Sequence, residues 1–325
     1  MKALIRDRFG SPEMLDVRDV ARPVPRAHEV LVRVHACSLN DWDWGLLQAP
    51  MTPLGRTRRF FVPILGSDIA GVVTAIGGNV TRFKAGDEVY GDLSGRGRWG
   101  GFAEYVCAAE TRLALKSSRM TFVQAAALPQ AGQLAVQALA AAGPLKRGWR
   151  ILINGAGGGV GTIGVQLVKS QMPDVEVTGV DSALKLEMMR VVGFDQVIDY
   201  TKIDFTNTWR QYDLIVDTRT TRPPSDYVRA LNPGGTYVTV GGAAMKDLLK
   251  VPLFGWWIWL TTRKTVTLVG LRASRDLPYL NEQFDAGKLV PVIDGPYTLS
   301  EGREAFRRFG AGQQMGKIVI TMHAQ

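Results

Sequence analysis

The stretch Ile151-Leu152-Ile153-Asn154-Gly155-Ala156-Gly157-Gly158-Gly159-Val160-Gly161 decides the fold. Arg150 to Asn154 reads as a buried strand, and Gly159 to Ser170 as the helix that follows it. The turn between them, Ala156-x-Gly158-x-x-Gly161, is a dinucleotide-binding fingerprint with its first glycine replaced by alanine. Gly158 lets the backbone approach a pyrophosphate, Gly161 lets the helix pack on the strand, and the helix N-terminus meets the negative charge.

Asp181 stands twenty residues after Gly161, at the end of the next strand, Glu176 to Val180. A carboxylate there accepts hydrogen bonds from the adenosine ribose hydroxyls of NAD and opposes a 2′-phosphate. At ~4 Å and an effective dielectric of ~20, one such unit-charge contact is of order 4 kcal/mol, so it matters if direct. Ser182 and Lys185 act in the opposite sense, since either can hold a phosphate. These residues leave NADH and NADPH both open.

Strands and helices alternate beyond the turn. A helix from Leu184 to Val192 is stopped by Gly193, and strands follow at Gln196 to Ile198, Leu214 to Val216, Thr236 to Val240 and Val266 to Val269. Six strands with crossovers predict a doubly wound parallel sheet in an α/β protein. Upstream, Thr121-Phe122-Val123-Gln124 fits a capping box that opens an alanine-rich helical stretch, divided by Pro129 and ended by Gly143-Pro144. The first third reads as a compact β domain. Glu29 to Cys37 alternates at strand period, and further runs at Ile69 to Ile76, Glu88 to Tyr90 and Phe102 to Val106 are separated by glycine-rich turns. A helix near Glu301 to Phe309 and a strand at Lys317 to Thr321 form a tail expected to rejoin that first domain.

At 325 residues the chain suits two domains, and its 36 glycines have no fixed period, which excludes collagenous and disordered classes. Cys37 and Cys107 build neither a disulfide framework nor a four-thiolate zinc site, and read as strand thiols rather than nucleophiles. A reducing, cytoplasmic compartment is expected, with no export segment in Met1-Lys2-Ala3-Leu4-Ile5-Arg6-Asp7. The net charge of +9 is scattered, apart from knots at Arg56-Thr57-Arg58-Arg59 and Arg307-Arg308. Without a nucleic-acid-binding motif it reads as solvated surface.

Further marks flank the turn: Cys37-Ser38-Leu39-Asn40-Asp41-Trp42-Asp43-Trp44, Pro63-Ile64-Leu65-Gly66-Ser67-Asp68-Ile69-Ala70-Gly71, and Phe83-Lys84-Ala85-Gly86-Asp87-Glu88-Val89-Tyr90-Gly91. Gly100 to Tyr105, Ala125 to Gly132, Val197 to Tyr200 and Gly316 to Ile320 complete them. Over essentially its whole length the chain resembles the zinc-independent branch of the medium-chain dehydrogenase/reductase superfamily, the quinone oxidoreductase-like (zeta-crystallin-like) proteins. The resemblance implies a GroES-like domain from residues 1–120 and 271–325, a Rossmann domain over 121–270 with the active site between them, and a homodimer. It implies a nicotinamide cofactor held by Gly155, Ala156, Gly157, Gly158, Gly159, Val160, Gly161, Asp181, Ser182, Lys185, Tyr200, Thr218, Gly241 and Lys317. Residues matching Ser182, Lys185 and Tyr200 lie near the adenosine phosphate in such proteins, which tips the expectation toward NADPH.

Zinc-dependent relatives set a cysteine, a histidine and a later cysteine around the metal. Here Asn40 and Ser67 stand at the first two places, Pro129 to Gln133 carries no cysteine, and His28, His35 and His323 show no ligand spacing. No zinc is expected. Reducing a simple aldehyde or ketone builds alkoxide charge that a metal or a positioned acid must stabilise. A quinone or an α,β-unsaturated carbonyl spreads that charge over its own conjugated system, so a hydrophobic acceptor of this kind is the expected substrate. The candidate catalytic residues are Asn40, Trp42 and Asp43, with Trp44, Ser67, Trp256 and Trp257 for the substrate pocket. Each has an ordinary alternative: a turn for Asn40, packing for the tryptophans, a helix cap for Asp43 or Asp68, and a solvated edge position for Lys317. Leu134 departs from a threonine often found near the nicotinamide, and Arg219, Thr220, Thr221 and Arg222 replace small residues after Asp217-Thr218.

Val251 to Leu260, with Trp256, Trp257 and Trp259, is too short to span a membrane. It reads as a pocket wall, a subunit or core contact, or an interfacial anchor. The competing functions are a zinc-independent carbonyl or alcohol dehydrogenase and a non-catalytic nucleotide-binding redox sensor or structural protein.

Overall fold

The computed structural model describes residues 1–48, 63–94, 99–241 and 250–322, with the backbone alone for 250–254. The basic knot at Arg56, Arg58 and Arg59 and the histidine His323 lie outside the described residues. The chain forms two compact units, one of Met1–Gln130, Ala273–Gly287 and Ile293–Gln325, the other of Ala131–Arg272 and Lys288–Val292.

The second unit carries a six-stranded, all-parallel sheet. In spatial order the strands are Gln196–Asp199, Glu176–Asp181, Arg150–Asn154, Tyr212–Asp217, Leu231–Thr239 and Thr265–Leu268. This is the doubly wound arrangement, and the strand order reverses between Arg150–Asn154 and Tyr212–Asp217. Helices cover such a sheet on both faces, so Ile151, Leu152 and Ile153 are all buried and read as one apolar run instead of an alternation. The helix Gly159–Gln171 buries Ile163, Val165, Leu167 and Val168.

The first unit is built on a seven-stranded sheet in which the long strand Glu29–Ser38 is central. It pairs antiparallel with Asp68–Ile76 on one side, and on the other with Tyr105–Ala109 along its first half and Lys317–Thr321 along its last residues. Buried Val30, Val32 and Val34 hold one face of that strand in a core with Phe102 and Phe306. The helix Gly302–Gly310 supplies Phe306, whose ring meets Phe102 edge-on at 5.7 Å. Thr121 and Gln124 do form the reciprocal capping box, and Pro129 begins the second of the two helices, Phe122–Ala126 and Pro129–Ala141.

Some elements differ from expectation. The strand expected at Phe102 to Val106 runs from Tyr105 to Ala109, because Phe102 bonds to Leu65 and Leu4, and Ala103 bridges Ala3. The short strands Lys2–Arg6, Leu15–Asp19, Leu113–Leu115 and Ile293–Thr298 carry charges, prolines or too few residues to show a period. The apolar Val251 to Leu260 segment lies in a helix, Lys250–Thr262. Among the described residues no helix is long and apolar enough to cross a membrane.

Candidate active site

The phosphate turn of the second unit lies at the carboxyl end of Arg150–Asn154, beside the strand-order reversal where dinucleotides bind in such sheets. Gly155 has φ +77°, and a Cβ there would come within 2.1 Å of Thr218 Oγ1. A Cβ on Gly161 would lie 2.4 Å from the Ala156 carbonyl oxygen, so only glycine lets the helix seat against the turn. Ala156 fits in place of the first fingerprint glycine because its methyl faces Gly179, where a Cβ would meet it at 2.9 Å. The helix opens at Gly158 with no side-chain cap. Its first amides lack intrahelical acceptors, as in every helix, and a Cβ on Gly158 would meet nothing closer than 3.4 Å, which leaves room for an anion's approach. This cradle suits a dinucleotide pyrophosphate.

Asp181 is bound into the turn. Its carboxylate accepts hydrogen bonds from Gly157 N–H at 2.9 Å and Ser182 N–H at 2.8 Å, and pairs with Lys185 Nζ at 3.2 Å. Both side chains are buried, and the Lys185 stem lies across Gly157. The carboxylate that would oppose a 2′-phosphate is thus already facing an ammonium and two amides. Thr218 Oγ1 donates to the Asn154 carbonyl, and the Gly241 carbonyl accepts from Thr220. Tyr200 is 56% exposed. Among the residues that depart from the family pattern, the Arg219 stem lies over Gly155.

The first unit gathers Asn40, Asp43, Ser67, Asp68, Gln130 and Lys317, all buried. Strand register does this. Val319 pairs with Ser38, so continuing the antiparallel ladder sets Lys317 beside Asn40, and Asp68 pairs with Ser38 from the other side. Lys317 Nζ donates to Asn40 Oδ1 at 2.5 Å and to the Leu39 carbonyl at 3.0 Å, and lies 3.6 Å from Asp68 Oδ2. Lys317 is therefore neither solvated nor on an edge strand. With its oxygen held by the ammonium, the Asn40 amide presents its nitrogen as the donating end, and Nδ2 lies 3.4 Å from Ser67 Oγ. Asp68 also accepts from Gln130 N–H at 3.1 Å. Burial pushes its carboxyl above the ordinary range, and Lys317 opposes that shift.

Asp43 serves the backbone. It accepts from Asn40 N–H at 3.0 Å, across the start of the helix Asp41–Gln48, and from Gly66 N–H at 2.8 Å. Burial raises its carboxyl to about 7. Trp44 packs onto Gly310 and Phe309, whereas Trp42 is 42% exposed. Trp256 and Trp257 stand outward on their helix. Burial holds the Cys37 thiol well above its usual range, which favours a neutral core thiol over a nucleophile.

Gln130 and the Lys317–Asn40 bond escaped the sequence reading as site features. The bond joins residues 277 apart, and the sole local signal for Gln130 was its place in the Ala125 to Gly132 run. The donor set around Asn40 is an amide, a hydroxyl, two carboxylates and an ammonium. It lacks the thiolates and imidazoles that hold zinc. Among the described residues no group of three or more His, Cys, Asp or Glu side chains is placed to bind a metal ion.

Comparison with known proteins finds relatives along the chain. The family described as "Alcohol dehydrogenase GroES-like domain" matches residues 26–118, and "Zinc-binding dehydrogenase" matches 192–320. The chain is 34% identical to a 2-methylene-furan-3-one reductase of Solanum lycopersicum, over 98% of this chain and 79% of that protein. It is 31% identical to an NADPH-dependent alkenal/one oxidoreductase, chloroplastic, of Arabidopsis thaliana, with the same two coverages. The solved quinone oxidoreductase of Coxiella burnetii superposes with a TM-score of 0.86 at 28% identity, over 99% of both chains.

Proposed function

Because the chain belongs to the quinone oxidoreductase-like branch of the medium-chain dehydrogenase/reductase superfamily, we propose that it is an NAD(P)H-dependent reductase of quinones or α,β-unsaturated carbonyls, working without catalytic zinc. The observation that supports the reading is the polar cluster around Asn40, in which an amide and a hydroxyl, Asn40 and Ser67, stand at the first two places of the metal ligands and a buried ammonium holds the amide.

The nicotinamide cofactor, when bound, supplies the hydride. The phosphate turn and the open N-terminus of Gly159–Gln171 would hold its pyrophosphate. NADPH is the favoured form. Asp181 is neutralised in place by Lys185 and two backbone amides, so its charge opposes a 2′-phosphate less than a bare carboxylate would, and Ser182 and Lys185 are at hand to receive one. In the first unit the Asn40 oxygen is held by Lys317, so the amide N–H is the group offered to a substrate oxygen. One neutral donor suffices where the acceptor delocalises the incoming charge, and would be a weak substitute for a metal at a simple aldehyde. Asp43 sets the backbone that carries Asn40 and acts as a positioning residue. A reducing, cytoplasmic setting and a homodimer complete the proposal; the two cysteines are not joined in a disulfide, which fits the former.

The test is near-UV absorbance of NADPH, and separately NADH, with chelator-treated protein and a panel of quinones, enones and aldehydes. Rapid oxidation by quinones or enones, with NADPH preferred, is expected. Turnover confined to aldehydes would replace the proposal by a carbonyl dehydrogenase. Tight cofactor binding with no turnover would replace it by a nucleotide sensor.

A further inference from the structure

The helix Lys250–Thr262 turns two positions inward over the range with described side chains. Ile258 packs against the core of its unit, and a Cβ on Gly255 would lie 3.1 Å from the Val266 carbonyl oxygen. Trp256, Trp257, Trp259 and Leu260 stand outward with 65%, 54%, 50% and 53% of their surface exposed. Four large apolar side chains exposed within five positions form a patch rather than the scattered apolar residues normal on a protein surface.

The hydroxyls beside this patch bond back onto the helix. Thr261 Oγ1 donates to the Trp257 carbonyl at 2.8 Å, and Thr262 Oγ1 to the Ile258 carbonyl at 2.6 Å. Arg263 ends the helix and lies over the Trp259 ring, 4.9 Å from its centroid. Between Asp247 and Asp276 the sequence holds Lys250, Arg263, Lys264, Arg272 and Arg275 and no acidic residue.

We propose that this face is an interfacial anchor, which lays the tryptophan-bearing helix in the plane of an anionic lipid surface. Indoles prefer the headgroup level, where the ring is buried and the N–H stays hydrated. At 13 residues the helix is roughly 20 Å long, shorter than the ~30 Å hydrocarbon core, so it lies on the bilayer and does not cross it. Arg263, which lies over the Trp259 ring, supplies a cation at the patch that matches anionic headgroups.

The experiment is sedimentation of the full chain with sucrose-loaded vesicles of phosphatidylcholine, with and without phosphatidylglycerol, followed in parallel by tryptophan emission with brominated acyl chains. Partition onto the phosphatidylglycerol vesicles, weakened by salt and accompanied by bromine quenching, is expected. The W256S/W257S/W259S variant should lose at least tenfold of that partition, and Arg263→Glu about fivefold or more from the lost charge. Thermal unfolding verifies that each variant is folded, and the quenching of the unsubstituted chain reads the same contact if the triple variant is not. Absence of partition onto either vesicle overturns the proposal, as does undiminished partition of a folded triple variant. Self-association that the triple substitution abolishes, without vesicle binding, assigns the face to a second copy instead.

Discussion

Replacing Lys317 by methionine removes an ammonium from a buried polar cluster while keeping an unbranched chain of similar length. Three groups lose the ammonium: Asn40 Oδ1, the Leu39 carbonyl and, at 3.6 Å, the Asp68 carboxylate, which keeps the Gln130 N–H. Breaking a buried ion pair from one side costs about 3–5 kcal/mol, because the remaining charge stays desolvated. In a unit of this size each kcal/mol moves the melting temperature by about 2–4 °C, so a fall of roughly 10 °C is expected at about pH 8. The cost depends on pH. Burial raises the Asp68 pKa in the folded protein above its unfolded value. A group raised in this way favours folding fully below its unfolded pKa of about 4 and loses that contribution as pH climbs through the folded value. At about pH 5 Asp68 is largely protonated in the folded state, Lys317 has less anion to neutralise, and the penalty of Lys317→Met should shrink. Calorimetry at both pH values, with Asp68→Asn and the double variant, closes the cycle. The double variant should recover at least about 1 kcal/mol relative to additivity. A loss under about 1 kcal/mol at both pH values, or strict additivity, would refute the coupling.

Three further outcomes follow from the same geometry. Asp43, raised to about 7 by burial, should make the protein less stable as pH rises from about 4 to about 7, by a few kcal/mol; Asp43→Asn should flatten that slope in urea titrations, at the expense of one of its two amide acceptors. Gly161→Ala places a Cβ 2.4 Å from the Ala156 carbonyl oxygen, so calorimetry should show destabilisation by about 1–3 kcal/mol and a weaker stabilising shift on adding NADPH. Lys185→Ala should weaken NADPH about tenfold or more in titration calorimetry and NADH by less, given a phosphate contact of a few kcal/mol; equal losses would return Asp181 and Lys185 to a purely structural role.

The phosphate turn was legible because its determinants are contiguous. An apolar strand, a glycine turn and a helix start fall within eleven residues, and the backbone there leaves little choice of side chain. The Thr121–Gln124 capping box is legible for the same reason. The polar cluster was legible only in part. Asn40 and Ser67 were singled out by comparison with metal ligands, but the ammonium that holds Asn40 comes from a strand 277 residues away, and no local pattern reports such a pairing. Asp181 shows what spacing leaves open. The carboxylate is at the end of its strand, but it binds the turn's own amides and Lys185, and spacing alone cannot show which donors reach it first. The strand Lys2–Arg6 was missed because Lys2 and Arg6 mask its apolar middle, while Arg6 is itself buried.

Strand Lys317–Thr321 has a consequence for the order in which the molecule assembles. During synthesis the whole six-stranded parallel sheet emerges before this strand does, and its unit holds its own core. The earlier half of the other sheet must meanwhile wait, with Ala36, Cys37 and Ser38 lacking the partners that Val319, Ile320 and Thr321 later provide. Closing that loop across some 280 residues is entropically costly, though the cost grows only with the logarithm of its length. The nascent chain therefore carries an open β edge beside an unfinished polar cluster until Lys317–Thr321 appears. Such an edge is the kind that pairs with the wrong chain, so this is the interval in which a chaperone or a slow ribosome would have most effect on yield.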